Sequence, residues 1–359
     1  MKPVKIAFVL LSNSRNPMPS TRISVLNLFP FLHAANFETK IVFEPDEGTE
    51  SPDLSGLLPR ILSEGCDIVY FQKVHGPSVV ELALQLAQRG VKTVYGVCDL
   101  VNVTMAEATD ATVVVTDYLK SLYPRHLQER VHVVHDGIER PDICKSEWRR
   151  GRGSASHPLH AVLVHSSDLR HLPVIGSPPP WLRLDIVGSY PPVGDVWQLL
   201  RVARWKLASM RSLSERSTFL RFMFDRRIRR HPWGPDDVYA KIVQADIGII
   251  PLETGVGPKS GQLPPSWMVK SENRLTLKMS ASLPVIATPI PSYEPVVEQG
   301  RTGFLAGSRR EWFEFLEALR DPDLRQTMGL RARESVQERY SMEKQARLMI
   351  EILADLVAT

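Results

Sequence analysis

The sequence predicts an α/β protein made of two successive parallel-sheet halves, and three observations carry that prediction. The chain has 359 residues, more than one domain of roughly 100–200 residues usually holds, and suited to two. Short apolar runs alternate with segments of helical periodicity, the signature of strand–helix–strand units. That rhythm breaks once, over residues 141–158 (PDICKSEWRRGRGSASHP), and then resumes. With 43% hydrophobic and 23% charged residues, the composition is that of a globular chain, which excludes fibrous, disordered and polytopic membrane classes. The longest apolar runs, such as Ile6–Leu11 and Ala111–Val115, fall far short of the ~18 residues that span a bilayer. The opening residues, MKPVKIAFVLL, set two lysines before an apolar stretch but lack a small-residue cleavage site, so they read as a first buried strand.

In the first half the expected strands are Lys5–Leu11, Thr39–Phe43, Asp67–Phe71, Thr93–Val97, Thr112–Thr116 and His132–His135. Several are continuous apolar runs, as expected of strands covered on both faces. Helical patterns lie between them at Ser24–Ala35, Gly56–Glu64, Pro77–Arg89 and, shorter, near Leu119–His126. In the second half strands are expected at Leu159–His165, Leu184–Val187, Ile247–Pro251, Pro284–Thr288 and Gly303–Ala306. Helices are expected at Asp236–Gln244 and Ser271–Ala281. Ser308 and Glu311 form a capping-box pattern that opens Arg309–Leu319. Asp321-Pro322 supplies an N-cap with proline at the first helical position, opening a helix toward Arg339. Ser341 caps a last amphipathic helix to about Val357. The domain reading is residues 1–140, a linker at 141–158, a second domain at 159–341, and a C-terminal helix at 342–359 expected to pack back on the first domain.

Cys66, Cys98 and Cys144 are too dispersed for a disulfide framework or a zinc site, which suits a reduced, cytoplasmic location. The net charge is only +4, but it is concentrated. Arg201–Arg230 holds ten basic residues against Glu215 and Asp225, interleaved with Trp205, Phe219, Phe222 and Phe224. Basic and apolar residues at helical spacing suit a helix on an anionic membrane surface. The alternative is a packed amphipathic helix with a wet basic face. No nucleic-acid module accompanies the charge, so no nucleic-acid partner is expected.

Parallel sheets bind ligands beyond the carboxyl ends of their strands, so the loops there carry the candidate chemistry. The Gly- and Pro-rich loop Leu252–Lys270 leads into Lys270-Ser271-Glu272-Asn273-Arg274, where a helix is expected to begin. A helix start beside a lysine is a ready phosphate or diphosphate cradle, or else an ordinary solvated helix start. Neither a Walker A sequence nor GxGxxG occurs. In the first half, His75 and Lys73 follow one strand and Asp99 another. Asp99 suits orientation of an acceptor hydroxyl or, alternatively, capping of the next helix turn. Arg22, at a helix start in the loop Ser12–Arg22, suits contact with an anion. His165 and Ser166 end the first strand of the second half, and Gly188 ends its neighbour. Gly137, in His135-Asp136-Gly137, suggests a special backbone angle.

The stretch Lys270–Ser341 resembles the nucleotide-sugar-binding half of GT-B glycosyltransferases similar to family 4. The likeness is carried by Ser280-Ala281-Ser282-Leu283-Pro284-Val285-Ile286-Ala287-Thr288 and Arg301-Thr302-Gly303-Phe304-Leu305. Upstream, VYAKIVQADIGIIPL at Val238–Leu252 and VHVVHDGIE at Val131–Glu139 match as well. The resemblance implies a GT-B-like α/β fold, two Rossmann-like domains facing across a cleft, with acceptor on the first and donor on the second. It implies transfer of a sugar from a nucleotide-diphosphate sugar to a hydroxyl acceptor, a glycan or a lipid-linked one, with retention and with neither a metal nor a cofactor. His75, Asp99 and Lys270 are then the catalytic candidates. Arg22, His165, Ser166, Gly188, Lys270, Ser271, Glu272 and Asn273 are the donor-binding ones. The two glutamates usual in the family fall here at Val269 and Leu277, so Glu272 is the nearest acid able to substitute, and the usual glycine before Leu-Pro-Val is Ser282. A sugar-nucleotide epimerase on the same fold, or a binding protein that lost the chemistry, are the alternatives.

Overall fold

The computed structural model describes residues 2–165, 178–190, 196–210, 212–254 and 264–358. In chain order the first elements are β1 (Val4–Val9), α1 (Pro19–Ser24), α2 (Phe29–Ala34), β2 (Phe37–Phe43), α3 (Leu57–Glu64), β3 (Ile68–Gln72), α4 (Pro77–Ala87), β4 (Lys92–Val97), α5 (Val103–Ala108), β5 (Ala111–Val114), α6 (Asp117–Ser121) and β6 (Val131–Val133). There follow β7 (Leu159–Val164), β8 (Leu182–Gly188), α7 (Val196–Ser209), α8 (Leu213–Phe224), β9 (Ile228–Pro232), α9 (Pro235–Gln244), β10 (Ile247–Ile250), α10 (Asn273–Ser280), β11 (Val285–Ala287), β12 (Gly303–Leu305), α11 (Arg309–Ala318), α12 (Pro322–Gln337) and α13 (Met342–Ala358). They form two compact units. One comprises Met1–Glu139, Pro258–Asn273 and Glu338–Thr359, the other Arg140–Gly257 and Arg274–Gln337.

The first unit is a six-stranded parallel sheet in the order β2-β1-β3-β4-β5-β6. Alternate side chains of each strand go to opposite faces. Val9, Phe71, Tyr95 and Val114 pack toward α3, α4 and α6. Phe8, Tyr70, Val94 and Val113 pack toward Val25, Leu28, Leu32 and the Met342, Ala346, Met349 and Leu353 stripe of α13. The C-terminal helix therefore completes the core of this unit. The sheet runs from β1 out to β2 and then restarts at β3 on the other side, so a switch in strand order falls between β1 and β3.

The second unit repeats the plan, with order β12-β11-β10-β7-β8-β9 and every pair parallel. One face packs Leu163, Leu184, Ile186 and Ile249 on Trp312, Leu316 and Met328 of α11 and α12. The other packs Val162 and Val187 on Val238, Tyr239 and Ile242 of α9. Its switch in strand order falls between β7 and β10. The Ser308–Glu311 capping box forms as expected.

Three expectations change. The segment Ser24–Ala35 is a 3-10 turn at Leu26–Leu28 followed by α2, because Pro30 sits where a helix begins rather than where it continues, and a separate helix, α1, precedes it and ends at Ser24. A short helix, α5, was not anticipated; Asn102 caps it by accepting from the Met105 N–H at 2.9 Å. The polybasic segment Arg201–Arg230 is not one helical surface. It is α7, α8 and the start of an edge strand, β9, paired with β8. Two of the last four arginines are drawn into the fold, while Arg226 and Arg229 stay exposed. Arg227 grips Asp225 through two nitrogens and also donates to the Pro178 carbonyl. Arg230 lies 4.2 Å over the Phe222 ring and donates to the Phe222 and Met223 carbonyls.

Candidate functional site

The ends of β3 and β4 in the first unit carry a chain of linked charges. β3 ends at Gln72, and Lys73 turns the backbone sharply, with φ of 62°. That left-handed angle costs a residue with a side chain about 1 kcal/mol or more. It swings the buried Lys73 ammonium to 2.9 Å from Asp99 and 3.0 Å from Glu50. On one side Asp99 continues to Lys270, at 3.6 Å. On the other, Glu50 faces His75 Nε2 at 4.0 Å, and Glu50's carbonyl accepts the His75 N–H at 2.7 Å. The His75 ring is held by Ser51 at 3.2 Å. The three residues singled out for catalysis, His75, Asp99 and Lys270, thus meet in one network whose connecting members are Glu50 and Lys73. The capping alternative for Asp99 fails, because Asn102 takes that role.

The charges in this network are fixed by one another. Burial works against the Asp99 carboxylate, but Lys73 and then Lys270 hold it below its ordinary value. Burial likewise works against the Lys73 ammonium, which the Asp99 and Glu50 carboxylates lift above its ordinary value. Burial and Asp99 push the Cys98 thiol well up, so Cys98 is a neutral thiol and the two carboxylates do the lifting. Asp99 is thereby ionised and a hydrogen-bond acceptor at neutral pH.

The segment preceding α10 belongs with the same unit, for visible reasons. Val269 is buried in the core beneath the sheet, Tyr118 reaches Met268, and Ser271 hydrogen-bonds Asp136. Glu272 is 1% exposed and turns inward, its Oε1 2.5 Å from His135 Nδ1, which also meets the Val115 carbonyl at 3.0 Å. Burial disfavours the His135 imidazolium, yet the Glu272 carboxylate outweighs that and raises it. Beside it the buried Asp136 is pushed up to about 6 by desolvation and by Glu272, while Ser271 and Ser24 hydroxyls pull back. Glu272 therefore supports His135 rather than lying open at a helix start. Asn273 opens α10 and is partly exposed.

Arg22 is engaged as well. It binds Glu139 through two nitrogens, at 2.7 and 3.0 Å, and Glu139 also accepts from Asn27 at 2.9 Å. The loop that carries it is pinned by Gln72, whose amide oxygen accepts from the Leu11 N–H and the Thr21 hydroxyl, both at 3.0 Å. Gly137 has no left-handed angle. A Cβ there would come within 2.8 Å of the Met342 sulfur, so glycine serves the close passage of α13.

In the second unit, His165 and Gly188 end the adjacent strands β7 and β8. The His165 N–H donates to the Val187 carbonyl at 2.9 Å, and a Cβ at Gly188 would lie 1.9 Å from the His165 carbonyl oxygen. Only glycine permits that approach, so the pair forms one tight corner at the strand ends. Ser166 and most of the Gly/Pro loop after β10 lie outside the described residues. Elsewhere in this unit Asp185 bridges His160 at 3.1 Å and His231 at 2.7 Å. The one Asp-x-Asp sequence, Asp321-Pro322-Asp323, opens α12, with Asp321 accepting from the N–H groups of Asp323 and Leu324. Among the described residues no cluster of His, Cys, Asp and Glu is arranged to hold a metal.

Glu50 was missed by sequence reasoning because it sits in a polar loop, EPDEGTE, with no pattern to single it out. The His135–Glu272 pair was missed because its members are 137 residues apart.

No protein-family model matches the chain, and no curated protein matches it in sequence. Solved structures do. HepE of Anabaena, in complex with UDP and glucose, superposes with a TM-score of 0.67 at 12% identity, covering 98% of this chain and all of that one. A glycosyltransferase of Rickettsia africae gives 0.68 at 11% identity, and sucrose-phosphate synthase of Thermosynechococcus elongatus 0.68 at 15%, each covering 99% of both chains. The fold is that of the GT-B glycosyltransferases, two Rossmann-like α/β units in one chain.

Proposed function

We propose that this chain transfers a sugar from a nucleotide-diphosphate sugar to a hydroxyl acceptor, with retention at the anomeric carbon and without a metal. The observation that carries the reading is the likeness, across nearly the whole of both chains, to a protein crystallised with UDP and glucose. The linked charges at the strand ends of the first unit support it. Breaking the sugar–phosphate bond leaves negative charge on the departing diphosphate. Among the described residues Lys270 has one ionic contact, at 3.6 Å to Asp99, so its ammonium can meet that charge, together with the backbone N–H of Ser271. Asp99, kept ionised by Lys73, is suited to accept a hydrogen bond from a sugar or acceptor hydroxyl, with His75 at the far end of the same network. His165, Ser166 and Gly188 are the donor contacts expected from the second unit. Arg22 and Glu272, both already paired, act by holding backbone in place.

The acceptor on this reading is a glycan or a lipid-linked hydroxyl. The protein works in the cytoplasm at the inner face of the cell membrane, in glycan or glycoconjugate synthesis. A second reading, a nucleotide-sugar-binding protein without turnover, is favoured by Val269 and Leu277. These apolar residues pack in cores where related enzymes carry carboxylates.

A panel of nucleotide sugars, assayed for released nucleotide with and without acceptors, tests the proposal. Turnover of one donor is expected. Donor binding with no turnover under any condition would leave the second reading, and absence of any donor binding would overturn both. Lys270→Ala should weaken binding of UDP or GDP at least several-fold, since charge-assisted contacts to phosphate contribute ~1.5–3 kcal/mol. Unchanged affinity by calorimetry would remove Lys270 from the site.

A further inference from the structure

The structure sorts the basic segment of the second unit into residues the fold consumes and residues it leaves outside. Arg227 and Arg230 are consumed, as described above. The outside set is ordered. On α7, Trp197 (84% exposed), Leu200 (49%) and Trp205 (71%) stand in water, as do Arg201, Arg204 and Ala208. At 100° per residue these positions fall within an arc of about 140° on one face of the helix. On α8, Leu213 (82%), Leu220 (40%) and Phe224 (73%) are exposed and lie within about 40° of one another around the axis. Exposed Arg221 and Arg216, the latter also donating to the Met210 carbonyl at 3.2 and 3.3 Å, flank this narrow stripe, while Phe219 and Phe222 on the opposite side are buried. The inward face of α8 is therefore satisfied, and among the described residues its apolar outward stripe stays exposed. Between Val196 and Phe224 the sequence holds six basic residues (201, 204, 206, 211, 216, 221) and one acid, Glu215.

We propose that the outer faces of α7 and α8 are an interfacial anchor for a bilayer containing anionic lipid, resting on the reading of a membrane-bound acceptor given above. Tryptophan pairs an apolar ring with one N–H donor, which suits the boundary between head groups and acyl chains. Arginines bordering an apolar stripe reach lipid phosphates while their stems cover hydrocarbon. Charge complementarity selects this occupant. A second copy of the chain would set like-charged faces together in any self-complementary pair, whereas an anionic leaflet neutralises them. Leu200, Leu213 and Leu220 offer hydrocarbon contact, which lipid rewards and a nucleic-acid strand does not. No described helix is long and apolar enough to cross a membrane, so the mode is attachment in the plane of the interface.

The test is sedimentation of the full chain with vesicles of phosphatidylcholine alone or mixed with phosphatidylglycerol, at low and high salt. Brominated-chain lipids report burial of tryptophan. Binding should require phosphatidylglycerol, weaken at high salt, and quench part of the fluorescence of the seven tryptophans. The Trp197→Ser/Trp205→Ser variant should lose that quenching and bind about tenfold more weakly or worse. Leu213→Ser/Leu220→Ser/Phe224→Ser should lose affinity similarly, and Arg201→Glu/Arg204→Glu should lose the salt-sensitive part. All positions are exposed, so melting temperatures should hold. UDP titration of the same proteins separates the two readings. Donor binding intact with no vesicle binding overturns the anchor alone; vesicle binding intact with no donor binding overturns the enzymatic reading alone. Vesicle binding that survives all three variants, salt-sensitive dimerisation abolished by them, or binding to a single-stranded oligonucleotide in place of vesicles would each overturn the anchor.

Discussion

Both units of this protein bury lysine, and Lys73 of the first and Lys278 of the second fare oppositely. Lys73, at the end of β3, meets the carboxylates of Asp99 and Glu50 and stays charged. Lys278, on α10, is fully buried. Among the described residues its ammonium has one hydrogen bond, to the Arg274 carbonyl at 3.0 Å. Desolvation and the nearby Arg274 charge bring Lys278 down to about 7. Burial is common to both, so burial does not decide the charge; the facing groups do. The difference separates a place that maintains ions for use from a place where a long side chain fills space. The Lys278 stem packs against Gly248, where a Cβ would come within 2.8 Å of it.

The sharpest way to break this contrast is Lys278→Met, which keeps the packing and removes the ammonium. The folded chain binds that proton less readily than the unfolded chain, whose lysine titrates near 10.5. The penalty is absent above that value, grows as pH falls toward 7, and is constant below. Lys278→Met should therefore gain stability, by about 2–4 kcal/mol at pH 7 or lower, with the gain fading as pH rises toward 10. Urea unfolding across pH measures it. A variant less stable than wild type at pH 7 would mean that Lys278 has a charged role.

Asp99→Asn should act in the opposite direction by stranding the Lys73 ammonium. A cost of about 2–3 kcal/mol is expected, at the low end for breaking a buried pair because Glu50 remains. Asp99 titrates lower in the folded chain than in the unfolded one. Its contribution is thus present above about pH 4, the unfolded value, and is lost as pH falls through the folded one. The wild-type advantage should shrink in acid. Asp99→Asn should also abolish turnover, whereas Lys278→Met should retain it. Equal activity in Asp99→Asn and wild type would detach the ion network from the chemistry.

The smallest effect is expected at Ser282. It follows α10 with φ of 63°, a left-handed position that glycine takes without strain. Ser282→Gly should raise stability by about 0.5–1 kcal/mol, the relieved strain exceeding the entropy added to the unfolded chain. A lowered melting temperature would show that the buried serine side chain contributes more than its backbone angle costs.

Several features follow from local sequence alone. The strands of both sheets could be read because continuous runs such as IAFVLL and VIA are what a doubly covered parallel strand requires. Ser308 and Glu311 could be read because a capping box is complete within four residues. The candidates His75, Asp99, His165 and Gly188 could be placed at strand ends, since that is where this architecture leaves room, and Lys270 could be placed just ahead of a helix. The strand β9 could not be read, because Arg229 and Arg230 look like a solvated helix face until β8 is there to pair with them. Glu50 and the linkage of Lys73 to Asp99 depend on loops brought together by the sheet. The assignment of Val269–Asn273 to the first unit depends on contacts with His135, Asp136 and Tyr118, more than a hundred residues away. Hydrophobic period and end-capping are short-range and are written in neighbouring residues. Charge state and partner choice depend on distance in space, which only the folded chain determines.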